Sequence, residues 1–138
     1  SLITIPFISF GYGLLLSPIQ ILNYYNRLAF RDPSLYKKST TMQQLHDVLV
    51  GVSKNGTSKQ LLDNSKTQIA SKTGTILALN KDGYTSKQYV SAIVGYAPAA
   101  NPKYSCIVLI KCQKNATQYY GASVAGPVFK DILNEALK

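Results

Sequence analysis

The chain has 138 residues, 46% of them apolar and 15% charged, with a formal charge of +9. That length suits a single domain with one modest core, and that balance excludes a disordered tail. The lysines are scattered, only Lys37 and Lys38 being adjacent, and no basic helix or arginine-rich stripe appears. The charge therefore points to anionic surfaces and argues against nucleic acid as a partner.

No charged residue precedes Arg27, so a membrane span or signal peptide must be weighed. Pro6, Gly11, Gly13, Ser17 and Pro18 interrupt the apolar run, and no basic segment opens it. The expectation is no transmembrane segment in this chain, with any anchor lying elsewhere.

A first helix is predicted in "SPIQILNYYNRLAF". Ser17 caps it, Pro18 takes the first helical position, and Ile19, Leu22, Tyr25 and Ala29 form its apolar stripe before Asp32-Pro33 stops it. A second is predicted in "TTMQQLHDVLVGVSKNG". It has a capping box from Thr40 to Gln43, a stripe of Met42, Leu45, Leu49 and Val52, and an Asn55-Gly56 stop. Strands follow at Ile69–Leu79, Tyr89–Ala97 and Tyr104–Cys112. The Asp82-Gly83 turn and "PAANP" are short connections, which imply antiparallel pairing. From Pro127 onward, Val128, Phe129, Ile132, Leu133 and Leu137 mark a closing helix over one sheet face. Cys106 and Cys112, six strand steps apart, are separated by roughly 20 Å and are expected to be free. With a single histidine and no Cys/His cluster, the chain has no ligand set for zinc, and no cofactor is expected.

One strand is chemically odd. "IASKTGTIL", Ile69 to Leu77, sets an ammonium, two hydroxyls and a glycine among apolar residues. Strand alternation puts Lys72 and Gly74 on one face and Thr73 and Thr75 on the other. Gly74 also lets a ligand approach the backbone closely. Charge, hydroxyls and strand-edge N–H groups together suit a carboxylate or an oxyanion.

With that strand on the page, the chain resembles the C-terminal part of the transpeptidase domain of a class B penicillin-binding protein. The blocks that carry the resemblance are "SFGYGLLLSPIQIL", "VGVSKNGTSKQL", "ASKTGT", "YVSAIVGYAPAANPKYSCIVLIK" and "YYGASVAGPVFKDIL". They run in family order from Ser9 to Leu137. The resemblance implies an α+β fold: an antiparallel sheet with helices packed on its faces, part of the serine β-lactamase-like transpeptidase fold. Residues 1–138 would then form one incomplete domain, the C-terminal portion of a penicillin-binding transpeptidase domain.

The implied activity is peptidoglycan cross-linking by acyl transfer from D-Ala-D-Ala stem peptides through a serine acyl-enzyme. The implied site is Lys72, Thr73, Gly74 and Thr75. Lys72 supplies charge, the two threonine hydroxyls hold the carboxylate of the stem peptide or of a β-lactam antibiotic, and the Thr75 N–H is half of the oxyanion hole. The resemblance further implies the extracytoplasmic, periplasmic face of a bacterial membrane, a role in cell division or cell shape, and contact with other cell-wall assembly proteins. Alternatives are a D,D-carboxypeptidase or serine β-lactamase relative, which shares Lys-Thr-Gly, and a non-catalytic module that binds β-lactam or stem peptide.

Three departures from the family matter. Its Ser-x-x-Lys and Ser-x-Asn motifs lie far upstream of Lys-Thr-Gly. "SLYK", Ser34 to Lys37, and "SKN", Ser53 to Asn55, match by composition but not by spacing, and neither is taken as catalytic. Between Ala29 and Ser39 the family normally inserts a longer, often glycine-rich stretch with extra β structure, where this chain has only "FRDPSLYKK". Ser71 stands where the family usually has a glycine before the lysine.

Other conspicuous residues have plainer readings. His46 is expected at a core edge, "YYG", Tyr119 to Gly121, as a loop packed over the sheet, and Phe10 and Tyr12 as fixing a turn.

Overall fold

The structure is a computed structural model that describes residues 14–36, 40–62, 65–81 and 83–138. The "SFGYG" block, Lys37 and Asp82 lie outside the described residues.

Helix α1, Pro18–Ala29, starts as its sequence predicts: the Ser17 hydroxyl accepts from the Gln20 N–H at 3.3 Å, and the Gln20 side chain accepts from the Ser17 N–H at 2.8 Å. This capping box satisfies donors that the first turn leaves free. Ile19, placed on the apolar stripe by spacing, is instead 69% exposed, while Leu28 and Ala29 are buried. Among the described residues the core side chains of this helix are in its last turn, and its first turn is exposed. A short helix α2, Pro33–Tyr36, follows. It is tied back by Arg27, whose Nε donates to Asp32 at 2.7 Å and holds that carboxyl down to about 2, with Ser34 adding two more bonds to the same group.

Helix α3, Thr41–Asn55, ends at Gly56 as expected, but the capping box from Thr40 to Gln43 does not form. Thr40 is already in the right-handed helical region, so its side chain makes no cap bond, and Gln43 donates instead to Asp47 at 3.0 Å. A one-turn helix α4, Lys59–Leu62, precedes the sheet.

Strands β1 (Ala70–Asn80), β2 (Gly83–Ala97) and β3 (Tyr104–Lys111) form an antiparallel meander in the order β1-β2-β3. Strand β2 begins well before the expected Tyr89. Leu77 pairs with Tyr89 but Leu79 pairs with Tyr84, so the backbone from Thr85 to Gln88 bulges opposite Ala78, with Lys87 at φ +60°. The bulge breaks the alternation that spacing relies on. Cys106 and Cys112 are both free, as their separation predicts.

Each face of the sheet carries its own core. Helix α5, Ala125–Ala136, packs Ala125, Phe129 and Leu133 onto Ile69, Ile93, Ala97 and Val108. On the opposite face, Leu28 and Ala29 of α1 and Leu49 of α3 pack onto Ala70, Tyr96 and Ala99. Helices on both faces hold the sheet as the middle layer of three.

The second core contains the fully buried phenol of Tyr96, with the half-buried Tyr25 packed against it. Burial, reinforced by neighbouring Tyr24, pushes the Tyr25 hydroxyl up to about 12, and burial raises Tyr96 further. The fold favours the neutral phenol, so this contribution is complete below the ordinary value near 10 and is lost as pH rises towards 12. The expected outcome is loss of near-UV circular dichroism over that window, with a shallower loss in Tyr25→Phe.

Candidate functional site

Strand β1 lies at the edge of the sheet. Ile69 and Ala70 fall in opposite cores, and alternation from there puts Ser71, Thr73 and Thr75 on the α5 side and Lys72 and Gly74 on the other. Lys72 is exposed, and its ammonium donates to the Thr73 carbonyl at 2.6 Å. The four residues singled out in the sequence therefore sit together on one short piece of edge backbone, with the lysine at the surface.

Each threonine hydroxyl has a partner. The Thr75 hydroxyl accepts from the Gly121 N–H at 3.1 Å, which leaves its own proton free to donate. Thr73 and Thr57 hydroxyls lie 2.8 Å apart, and either can be the donor. Gly121 reaches Thr75 because it has no side chain. A Cβ there would overlap the Ala92 carbonyl oxygen and lie 2.7 Å from that of Gly74. The loop before it is fixed by Ser91 on β2, which is fully buried; its hydroxyl donates to the Tyr120 carbonyl at 3.1 Å and accepts from the Ala125 N–H at 3.3 Å. Tyr119 stacks on Tyr89 with ring centroids 4.2 Å apart, so "YYG" packs over the sheet.

Ser71 is also fully buried. Its hydroxyl lies 2.8 Å from that of Ser53 and 3.0 Å from that of Ser58, and Ser58 donates as well to the Val52 carbonyl at 3.3 Å. Three hydroxyls thus tie the end of α3 and the turn after it to the residue just before Lys72. This gives the departure from glycine at position 71 a structural role, since its hydroxyl has two side-chain partners, Ser53 at the end of α3 and Ser58 in the turn after it. Burying an unpartnered hydroxyl would be costly.

The rejected motifs are placed elsewhere or otherwise occupied. Ser34 sits on α2, where its hydroxyl donates to Asp32 and accepts from Arg27, both at 2.7 Å. Ser53 is buried behind Ser71, and Asn55 ends α3 at the surface. His46 Nδ1 lies 2.7 Å from the Tyr96 hydroxyl, a partnered core-edge histidine. Sequence reasoning missed Thr57 and Ser58 and gave Gly121 a packing role without its bond to Thr75; the partners of all three lie 13 to 46 residues away. The one available signal was two hydroxylic residues placed directly after the glycine that stops α3.

Chemically, the strand can hold an anion. A cation at the surface and two side-chain hydroxyls lie within four consecutive residues, and Thr75 at least has its proton available. A cavity of about 210 Å³ beside the start of β1, lined by Ser53, Lys54, Leu62 and Ile69, takes in none of Lys72, Thr73 or Thr75.

Residues 1–134 match the family described as the penicillin binding protein transpeptidase domain. The chain is 31% identical to the peptidoglycan D,D-transpeptidase FtsI of Buchnera aphidicola subsp. Baizongia pistaciae, over 95% of this chain and 26% of the relative. It is 31% identical to a probable peptidoglycan D,D-transpeptidase, PenA of Neisseria flavescens, over 94% of this chain and 36% of the relative. The chain therefore spans about a quarter to a third of the length of these curated relatives. Among solved structures, the transpeptidase domain of FtsI4 from Legionella pneumophila superposes with a TM-score of 0.71 at 27% identity, covering 89% of this chain and 47% of that one. The transpeptidase domain of Burkholderia pseudomallei penicillin-binding protein 3 gives a TM-score of 0.73 at 24% identity, over 94% of this chain and 44% of that one, a likeness of fold.

Proposed function

Because the chain belongs to the penicillin binding protein transpeptidase domain family, we propose that it forms the carboxylate-binding wall of a serine D,D-transpeptidase that cross-links peptidoglycan. The substrate is the D-Ala-D-Ala end of a stem peptide, and β-lactam antibiotics occupy the same place. The observation that carries this is the edge strand, where Lys72 stands at the surface and Thr73 and Thr75 each have a partner behind the hydroxyl. With the ligand lying along the open edge of β1, where the two faces of the strand meet, Lys72 supplies charge to the carboxylate from one face, the two hydroxyls donate to it from the other, Gly74 lets the ligand backbone lie close, and the Thr75 N–H serves the oxyanion. At an effective dielectric near 20, an ammonium about 4 Å from a carboxylate contributes some 4 kcal/mol before desolvation, enough to orient a substrate but not to break its amide.

The acylated serine lies outside residues 1–138 in this proposal, which makes the chain one portion of an incomplete domain. Leu14, Leu15, Leu16 and Ile19 are each more than half exposed, and this run of apolar surface supports packing against further chain. Among the described residues no helix is long and apolar enough to cross a membrane. We place the protein at the extracytoplasmic face of the bacterial membrane, in division or shape.

The test is intact-mass measurement after incubation with penicillin. The 138-residue chain alone is expected to gain no adduct, and the longer protein that carries it is expected to gain one per molecule, on a serine outside 1–138. A stoichiometric adduct on Ser34 or Ser53 would move the nucleophile into this chain and overturn the assignment.

A further inference from the structure

We propose that Thr57 is a positioning residue for the substrate carboxylate, acting through the Thr73 hydroxyl; this rests on the carboxylate-binding role given above to Lys72, Thr73 and Thr75. Gly56 closes α3 so tightly that a Cβ there would lie 2.9 Å from both Cα and O of Val52, which brings the next two residues onto β1. Thr57 meets Thr73 at 2.8 Å, and Ser58 meets Ser71 at 3.0 Å. The turn is therefore joined to the strand at the residue before Lys72 and at the residue after it.

The two carboxylate-binding threonines differ in what stands behind them. Gly121 presents an N–H, which can only donate, so the Thr75 hydroxyl must accept and its proton stays available. Thr73 has no backbone donor among its described side-chain partners; it has the Thr57 hydroxyl, which can turn either way. A carboxylate is an acceptor only, so Thr73 can hold it only by donating, and that requires Thr57 to be the donor behind it. Thr57 then does for Thr73 what the Gly121 N–H does for Thr75, and the relay from Thr57 through Thr73 to the carboxylate polarises each bond in turn. Ser58, fully buried and bonded to both Ser71 and Val52, keeps the turn at this distance.

The experiment measures acylation of the full-length protein by benzylpenicillin, separating the dissociation constant of the first complex from the limiting rate, with thermal melting as the folding control. T57V is expected to weaken the first complex about three- to tenfold, the range for one hydrogen bond, with the limiting rate much less affected. T57S is expected to recover most of the loss. The double variant T57V/T73V is expected to match T73V alone, because the two hydroxyls act on the carboxylate as one unit. T57A gives the same comparison if T57V melts early. Full additivity of the two substitutions, or an unchanged T57V beside a weakened T73V, would overturn the role of Thr57 while leaving the carboxylate site standing. Unchanged binding in T73V and in Lys72→Ala as well would overturn the carboxylate site, and this proposal with it.

Discussion

In the full-length protein, Lys72→Ala is expected to slow acylation by a β-lactam about a hundredfold while the melting temperature stays within a degree or two. Both halves of that expectation come from the surroundings of the side chain. Lys72 is exposed and, among the described residues, bonds to its own strand through the Thr73 carbonyl, so truncation removes little packing. A charge-assisted contact to a carboxylate is worth on the order of 1.5 to 3 kcal/mol net, and its loss before the transition state appears in full in the second-order rate. Thr75→Val is expected to be milder, because the backbone N–H survives and only the hydroxyl is lost. The check is the second-order acylation constant of each variant. Equal constants for Lys72→Ala and wild type would show that the strand is structural.

The largest effect on stability is expected at Phe129. It is fully buried on α5, in one cluster with Ile93, Ala97 and Val108 of the central and outer strands. Truncation to alanine removes the aromatic ring and leaves a cavity that the surrounding strands, themselves paired, cannot collapse to fill. The cost for such a change is about 3 to 5 kcal/mol, which for a domain of this size lowers the melting temperature by roughly 10 °C or more. Because α5 backs the sheet that presents Thr73 and Thr75, the acylation rate should fall only as the folded fraction falls. Denaturant unfolding of the two proteins measures this directly, and a loss under about 1 kcal/mol would place Phe129 outside the core.

The Lys-Thr-Gly-Thr strand was legible because four such residues have no packing reason to interrupt an apolar strand, and the hairpin order followed from short connections. The supports behind the strand were not. Ser53, Thr57 and Ser58 touch β1 only after the chain has folded back through α4, and no periodicity marks a hydroxyl whose partner is 13 to 18 residues away. The early start of β2 was hidden by its bulge, where Lys87 takes a left-handed conformation that alternation cannot anticipate. Thr40 carried the composition of a capping box without the extended backbone a cap needs. Ile19 had the right spacing but sits in the exposed first turn of α1, while the core residues Leu28 and Ala29 are in its last.

The most direct measurement compares acylation of the full-length protein by a penicillin and by the same penicillin with its carboxylate methylated, in wild type and in Lys72→Ala. If Lys72 and the two hydroxyls hold the carboxylate, wild type prefers the free acid by more than about a hundredfold, and Lys72→Ala removes most of that preference by slowing only the acid. An acid preference that survives intact in Lys72→Ala would contradict the account, because the carboxylate would then be recognised somewhere other than this strand.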